Sequence, residues 1–308
     1  MFVCWRISCI SGVARIPIIT YNLNMNRTDF EILGNKQKRF EESFGSLKLV
    51  PGIPYIVRLD GHSFHTVTKG MRRPYDERLS RAMTETTQYL VGRYNASVGY
   101  TQSDEITLGF LGTDFMLFDG RIVKICTILA SACTAKFNEI INREFPGGLP
   151  SGVELPEFDA RAFSLQTQDL IDNLVWRQTD ASRNSLTMAA HAHFPQKELH
   201  GAGKAKKHDM LMSIGINWND YPVHFKRGIF VRKMKVWKQL DPEILAKIPP
   251  DRRPTGPIIR NVVKTFDPGV LESYSPLDRF NAVFGNGQPV DLDEPSQPVP
   301  SAPTYVEP

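Results

Sequence analysis

Between residues 55 and 165 the spacing of apolar residues switches repeatedly between the period of a strand and that of a helix, and this order constrains the fold more than any other feature. Tyr55-Ile56-Val57-Arg58-Leu59 is a short β-rich run, opened by Pro54 and closed by Asp60-Gly61. From Asp76 to about Tyr94, the residues Leu79, Met83, Thr86, Leu90 and Tyr94 recur at three- and four-residue steps, which predicts a helix. Residues 96–100 and 106–111 read as strands, and residues 101–105 join them as a hairpin. A second helix is predicted over residues 122–141, with Ile125, Leu129, Ala132 and Ile140 on one side, and Phe145-Pro146-Gly147-Gly148 ends it. Residues 158–165 form another strand. Strand, helix, strand, strand, helix, strand is the split βαβ order, so the expected class is α+β and ferredoxin-like.

A further helix is predicted over residues 169–192. Basic, loop-rich stretches follow, at Lys204, Lys206 and Lys207 and then at Lys226, Arg227, Arg232, Lys233, Lys235 and Lys238, giving a C-terminal helical and basic extension. The expected division is an N-terminal extension over residues 1–25, a first domain over 26–148, a C-terminal domain over 149–285 whose first strand joins the first domain's sheet, and a tail over 286–308. That tail holds six prolines, four acids and no Lys or Arg, so disorder is expected of it.

The 308 residues suffice for one large domain or two small ones. A net charge of +4 is compatible with a nucleic-acid partner without demanding one. Cys4, Cys9, Cys126 and Cys133 form no Cys-x-x-Cys pair, and the last two share a helix face as buried apolar residues. A reducing compartment and a cytoplasmic location are expected. No apolar run approaches the roughly 20 residues of a membrane span. The first 24 residues carry Arg6 and Arg15 and no acid, and read either as a targeting segment or as an over-long gene model with Met25 as the start.

Chemistry concentrates at the strand ends. Asp60 closes the first strand, and Asp104 and Glu105 sit at the hairpin tip in Gln102-Ser103-Asp104-Glu105. In a split βαβ sheet the first and third strands are neighbours, which brings the tip beside Asp60. Converging carboxylates repel unless a cation lies between them. Mg²⁺ suits this role, because it takes oxygen ligands and shares itself with substrate phosphates. Gly61 lets the backbone approach an ion or a phosphate. Asp-Gly and Ser-Asp are also ordinary turn dipeptides, so turn chemistry alone also accounts for these positions. Nearby, Phe64 offers a ring to a base, His65 a contact to phosphate or ribose, Arg72 and Arg73 a hold on a triphosphate, and Ser103 a phosphate donor. The alternatives are a structural histidine, a solvated charge pair and a capped turn.

Several segments resemble one family. Arg58-Leu59-Asp60-Gly61-His62-Ser63-Phe64-His65 resembles the Arg-Leu-Asp-Gly-x-x-Phe-His motif of the tRNA-histidine guanylyltransferases, and Tyr100-Thr101-Gln102-Ser103-Asp104-Glu105 their Tyr-x-Gln-Ser-Asp-Glu motif. Phe158-Asp159-Ala160-Arg161, Trp176-Arg177-Gln178-x-Asp180, Gly215-Ile216-Asn217-Trp218-Asn219 and Phe225-Lys226-Arg227-Gly228 also look like family segments. The resemblance implies a polymerase-like palm that adds nucleotides in the 3′-to-5′ direction: the tRNA 5′-monophosphate is activated with ATP, the 3′-hydroxyl of GTP attacks it, and pyrophosphate is removed. It implies two Mg²⁺ ions held by Asp60, the Gly61 carbonyl and Asp104. It implies catalysis through Asp60, Asp104 and Glu105, and nucleotide contacts from Asp60, Gly61, His62, Ser63, Phe64, His65, Arg73, Ser103 and Asp104. Members are often tetramers, so a homo-tetramer is among the expectations.

One departure bears on specificity. Eukaryotic members read His-Ile-Asn-Asn-Leu-Tyr-Asn where this chain reads Ser182-Arg183-Asn184-Ser185-Leu186-Thr187-Met188. The chain is more similar to the bacterial and phage guanylyltransferase-like branch, associated with template-dependent repair of tRNA 5′ ends. The basic stretches suit a tRNA partner, and Trp218 and Trp237 are candidates to stack bases. Two other readings stand beside this one, a nucleotide cyclase on the same palm and a non-catalytic RNA-binding protein. Retention of Asp60, Asp104 and Glu105 weighs against the second, and the later segments against the first.

Overall fold

A computed structural model describes residues 27–112, 116–285 and 290–291. The chain divides into two compact units, Met1–Ser46 and Leu47–Pro308. The described part of the first is the helix α1 (Arg27–Gly45). The proposed extension over residues 1–25 lies outside the described residues.

The second unit runs β1 (Tyr55–Gly61), α2 (Phe64–Val67), α3 (Glu77–Tyr94), β2 (Val98–Gln102), β3 (Glu105–Phe110), α4 (Ile122–Glu144), β4 (Phe158–Ser164) and α5 (Thr167–His193). It continues through α6 (Gln196–Leu199), α7 (Lys204–Ser213), α8 (Val223–Arg227), β5 (Ile229–Lys238), α9 (Pro242–Lys247), β6 (Ile258–Phe266), α10 (Pro276–Phe284) and β7 (Val290–Asp291). The fold is α+β. Its sheet follows the antiparallel path β4-β1-β3-β2-β5-β6, with β7 alongside β5 in parallel.

The period-two alternation of β1 divides the core. Tyr55, Val57 and Leu59 face α3 and α4, whose Met83, Leu90, Leu129 and Phe137 close over them. Ile56 faces the opposite way and packs with Val98, Tyr100 and Phe230 under Leu170 and Leu174 of α5. The far half of α5 carries a third cluster in which Leu186 and Ala189 meet Leu211 of α7 and Phe225 of α8. Cys133 is buried in α4 as expected, while Cys126 is half-buried. Among the described residues no helix is long and apolar enough to cross a membrane.

Two sequence expectations need correction. The stretch from Arg232 to Lys238 is not loop-rich but belongs to β5, paired with β6 along nearly its whole length. Lys233 and Lys235 alternate with Met234 and buried Val236, so the strand period was present beneath the charge. Two residues of the segment expected to be disordered, Val290 and Asp291, pair with Val236 and Trp237; most of that tail lies outside the described residues.

Candidate active site

The first and third strands are neighbours. Asp60 stands opposite Glu105 on one side, and opposite Asp159 of β4 on the other. The Gly61 N–H donates to the Asp104 carbonyl at 3.1 Å, which fixes the hairpin tip against the end of β1. Ser103 turns the hairpin with φ 54°, a left-handed conformation. Asp60, Asp104 and Glu105 are therefore brought to one end of the sheet.

Charge balance there is uneven. Arg58, two residues before Asp60 on the same face, donates to Asp60 Oδ2 at 3.2 Å and to Glu105 Oε1. Arg177 of α5 pairs with Glu105 Oε2 at 2.7 Å. Burial nevertheless holds the Glu105 carboxyl above its usual range, against the lowering pull of Arg177 and Arg58. The Asp104 carboxyl is also raised, chiefly by burial, with the charge of Asp60 adding to it and the Ser103 hydroxyl opposing. Two neighbouring carboxylates, one of them pushed toward protonation by burial and by the other, offer hard oxygen donors. That donor set fits a divalent cation. Among the described residues no group of three or more His, Cys, Asp or Glu side chains forms a metal cage.

The loop after Asp60 is shaped by Phe64. A Cβ on Gly61 would lie 2.3 Å from Phe64 Cδ2. The Phe64 ring packs against Phe137 and Phe158 at centroid distances of 5.6 and 5.1 Å and is 4% exposed. Phe64 is thus core, and the expectation that its ring stacks a base is corrected: the ring clamps the turn from beneath. His62, Ser63 and His65 are exposed around it. Ser63 also takes a left-handed φ of 55°, and the His62 N–H is tied to the Glu157 carbonyl at 2.8 Å.

A cavity of about 290 Å³ opens beside the hairpin tip. Arg72, Arg73, Gln102 and Ser103 line it, with His191 of α5 and His224 of α8. Asp76 anchors its rim, accepting from the Arg72 N–H at 3.2 Å and from Arg78 at 2.9 and 2.7 Å while capping α3. The cavity thus joins Arg73 and Ser103, far apart in sequence, next to the carboxylates. Sequence reasoning missed His191 and His224, and placed Arg177 in a family-like segment without assigning it a role in the site. Trp218 is half-buried against His208 and donates from Nε1 to the Ser185 hydroxyl at 3.3 Å, whereas Trp237 on β5 is exposed.

The protein-family model described as tRNAHis guanylyltransferase matches residues 34–166. A tRNA(His) guanylyltransferase of Kluyveromyces lactis is 30% identical over 215 residues, which cover 63% of this chain and 90% of that protein. Among solved structures, a bacterial tRNA(His) guanylyltransferase-like protein in complex with ATP is 40% identical, with a TM-score of 0.61 over 65% of this chain and 88% of that one. Such a protein in complex with GTP is 33% identical, with a TM-score of 0.55 over 75% and 90%. The order of the motifs, the carboxylates gathered at the end of β1 and these similarities together place the chain in the tRNAHis guanylyltransferase family of nucleotidyltransferases.

Proposed function

We propose that the protein adds GTP-derived nucleotides to the 5′ end of a tRNA, in the 3′-to-5′ direction, on a ferredoxin-like polymerase palm. The observation that carries this reading is that Ser103, which lines the cavity with Arg72 and Arg73, directly precedes Asp104 at a hairpin tip held against the end of β1, where Asp60 stands. The strand order β4-β1-β3-β2 supports the palm assignment.

Asp60, Asp104 and the Gly61 carbonyl are the groups that would hold Mg²⁺, as a pair of ions. When bound, Mg²⁺ neutralises phosphate charge and orients the attacking and leaving oxygens. The residues of the chain supply the rest. Arg73 and Ser103 meet the nucleotide phosphates, while exposed His62, Ser63 and His65 flank them. GTP and ATP are the nucleotides, in keeping with the ligands named for the two bacterial structures. Arg58 and Arg177 fix Glu105, so Glu105 sets the position of Arg58 against Asp60 and is itself bonded away from substrate.

A second reading, template-dependent repair of truncated tRNA 5′ ends without histidine-tRNA specificity, is favoured by the segment Ser182 to Met188. Ser185 there is spent internally, donating to the Lys226 carbonyl at 3.3 Å. The test offers purified protein GTP, ATP and Mg²⁺ with either 5′-monophosphorylated histidine tRNA or a tRNA lacking its first nucleotide. Incorporation on the former alone supports the dedicated enzyme, and incorporation mainly on the latter the repair polymerase. Incorporation on neither overturns both.

A further inference from the structure

On the sheet face that carries Asp60, α5 covers Ile56, Val98, Tyr100 and Phe230 but not β4. The alternate residues of β4 on that face are open: the side chains of Asp159 and Arg161 are 57% and 59% exposed, and Phe163 is 41% exposed. Register sets Asp159 beside Asp60, Arg161 beside Arg58 and Phe163 beside Ile56. The Arg161 guanidinium lies 3.9 Å from Asp60 and 3.8 Å from Asp159, beyond hydrogen-bond range for both. Arg58 and Arg177, by contrast, are bonded to carboxylates. Arg161 is thus a largely exposed cation at the edge of the reacting centre, near two carboxylates and within hydrogen-bond range of neither. The planar fork of a guanidinium matches phosphate oxygens pairwise. Two residues further, about 7 Å along the strand, Phe163 presents an aromatic ring on the same face.

We propose that this uncovered row of β4 receives the phosphorylated 5′ end of the RNA substrate, Arg161 taking the terminal phosphate and Phe163 stacking the adjoining base. The proposal rests on the reading of the carboxylates given above and names where its RNA substrate lies. It accounts for an exposed aromatic beside a charged site, since aromatic stacking holds bases without reading their sequence. It also accounts for an exposed arginine beside the carboxylates that makes no hydrogen bond to them and offsets their repulsion of an incoming phosphate. The edge position of β4 would also suit pairing with a second copy of the chain.

The experiment uses the full chain, without nucleotide, and an RNA stem-loop with a recessed 5′ end bearing either a monophosphate or a hydroxyl. Affinities are read by fluorescence anisotropy for wild type, Arg161→Ala, Arg161→Lys and Phe163→Ala, with thermal unfolding checking each fold. The wild type is expected to prefer the phosphorylated RNA about tenfold. Arg161→Ala should erase the preference and Arg161→Lys retain part of it. Phe163→Ala should weaken both RNAs alike, by about tenfold. Full preference persisting in Arg161→Ala overturns the proposal. So does an equal loss of GTP affinity, which would assign Arg161 to the nucleotide, or a Phe163→Ala effect confined to self-association in sedimentation. The preference is read without turnover, so an absence of GTP incorporation by the wild type would count against the catalytic reading alone.

Discussion

Asp60 and Glu105 are register partners across β1 and β3, and one guanidinium, that of Arg58, bonds to both. Glu105 has a second arginine and Asp60 has Arg161 only at 3.9 Å. Asp60 is therefore the carboxylate with ligand capacity to spare, and Glu105 the one fixed in place. Arg58→Ala is expected to release Asp60 and raise the Glu105 carboxyl further. Stability should fall by about 1–2 kcal/mol, a hydrogen-bond loss discounted for partial exposure. Urea unfolding measures the loss of stability, and NMR titration of the Glu105 carboxyl, moving to higher pH, measures the other effect.

Asp60→Ala and Asp104→Ala should each reduce nucleotide incorporation by about 10²- to 10³-fold or more, the scale of losing one charge-stabilising group. RNA binding should survive, because basic residues elsewhere hold the phosphates. Turnover near wild type in either variant would overturn the assignment of this pair as the metal-holding carboxylates.

The raised carboxyls of Asp104 and Glu105 give a sign to the pH dependence. A carboxylate whose folded pKa lies above its unfolded value contributes stability below the unfolded pKa and loses it as pH rises through the folded one. The ion-free protein should accordingly lose that contribution above the ordinary carboxylate range, near about pH 4. Mg²⁺ should restore it with release of protons. Thermal unfolding across pH 4–7 with and without Mg²⁺ reads both; a Mg²⁺-independent curve would contradict the assignment.

Asp76 runs the other way. Burial pushes its carboxyl up, but the Arg78 side chain and the Arg72 and Arg78 N–H groups prevail and hold it below the usual range. Its contribution is present above the unfolded pKa and lost as pH falls through the lowered one. Asp76→Ala removes a helix cap and several hydrogen bonds, and should cost about 1–3 kcal/mol. GTP affinity should weaken as well, because the Arg72 rim of the cavity loses its anchor.

Gly61→Ala tests the clamp beneath the nucleotide loop. The added methyl meets a ring that Phe137 and Phe158 hold in place, so the loop must move instead. A loss of about 1–3 kcal/mol is expected, as for overpacked cores. Incorporation should fall as well, as the Gly61 N–H is displaced from the Asp104 carbonyl.

Much of this is legible in the sequence. The residues of β1, α3, the β2–β3 hairpin, α4 and β4 carry clean periods, and the meeting of Asp60 with the hairpin tip followed from their order alone. Arg58 was available too, since two residues before Asp60 on a strand means the same face. Phe64 was not. A helix as short as α2 has no period, and nothing local separates a ring that stacks a base from one that plugs the core. The Arg177–Glu105 pair joins residues distant in sequence: the family-like segment Trp176-Arg177-Gln178 marks Arg177, but only the fold shows its partner. On β5 the density of Lys and Arg hid an alternation that β6 makes plain.

β1 is hydrogen-bonded along both edges, to β3 and to β4, right up to Asp60. The amides immediately beyond it, from His62 to Thr66, belong to a turn and the single-turn helix α2. In amide hydrogen exchange the strand should therefore open only with the whole sheet, and the turn in brief local excursions. The reacting carboxylate would stand on the border between those two populations. A nucleotide can then be admitted and released by the fast side while the slow side never loses its aim.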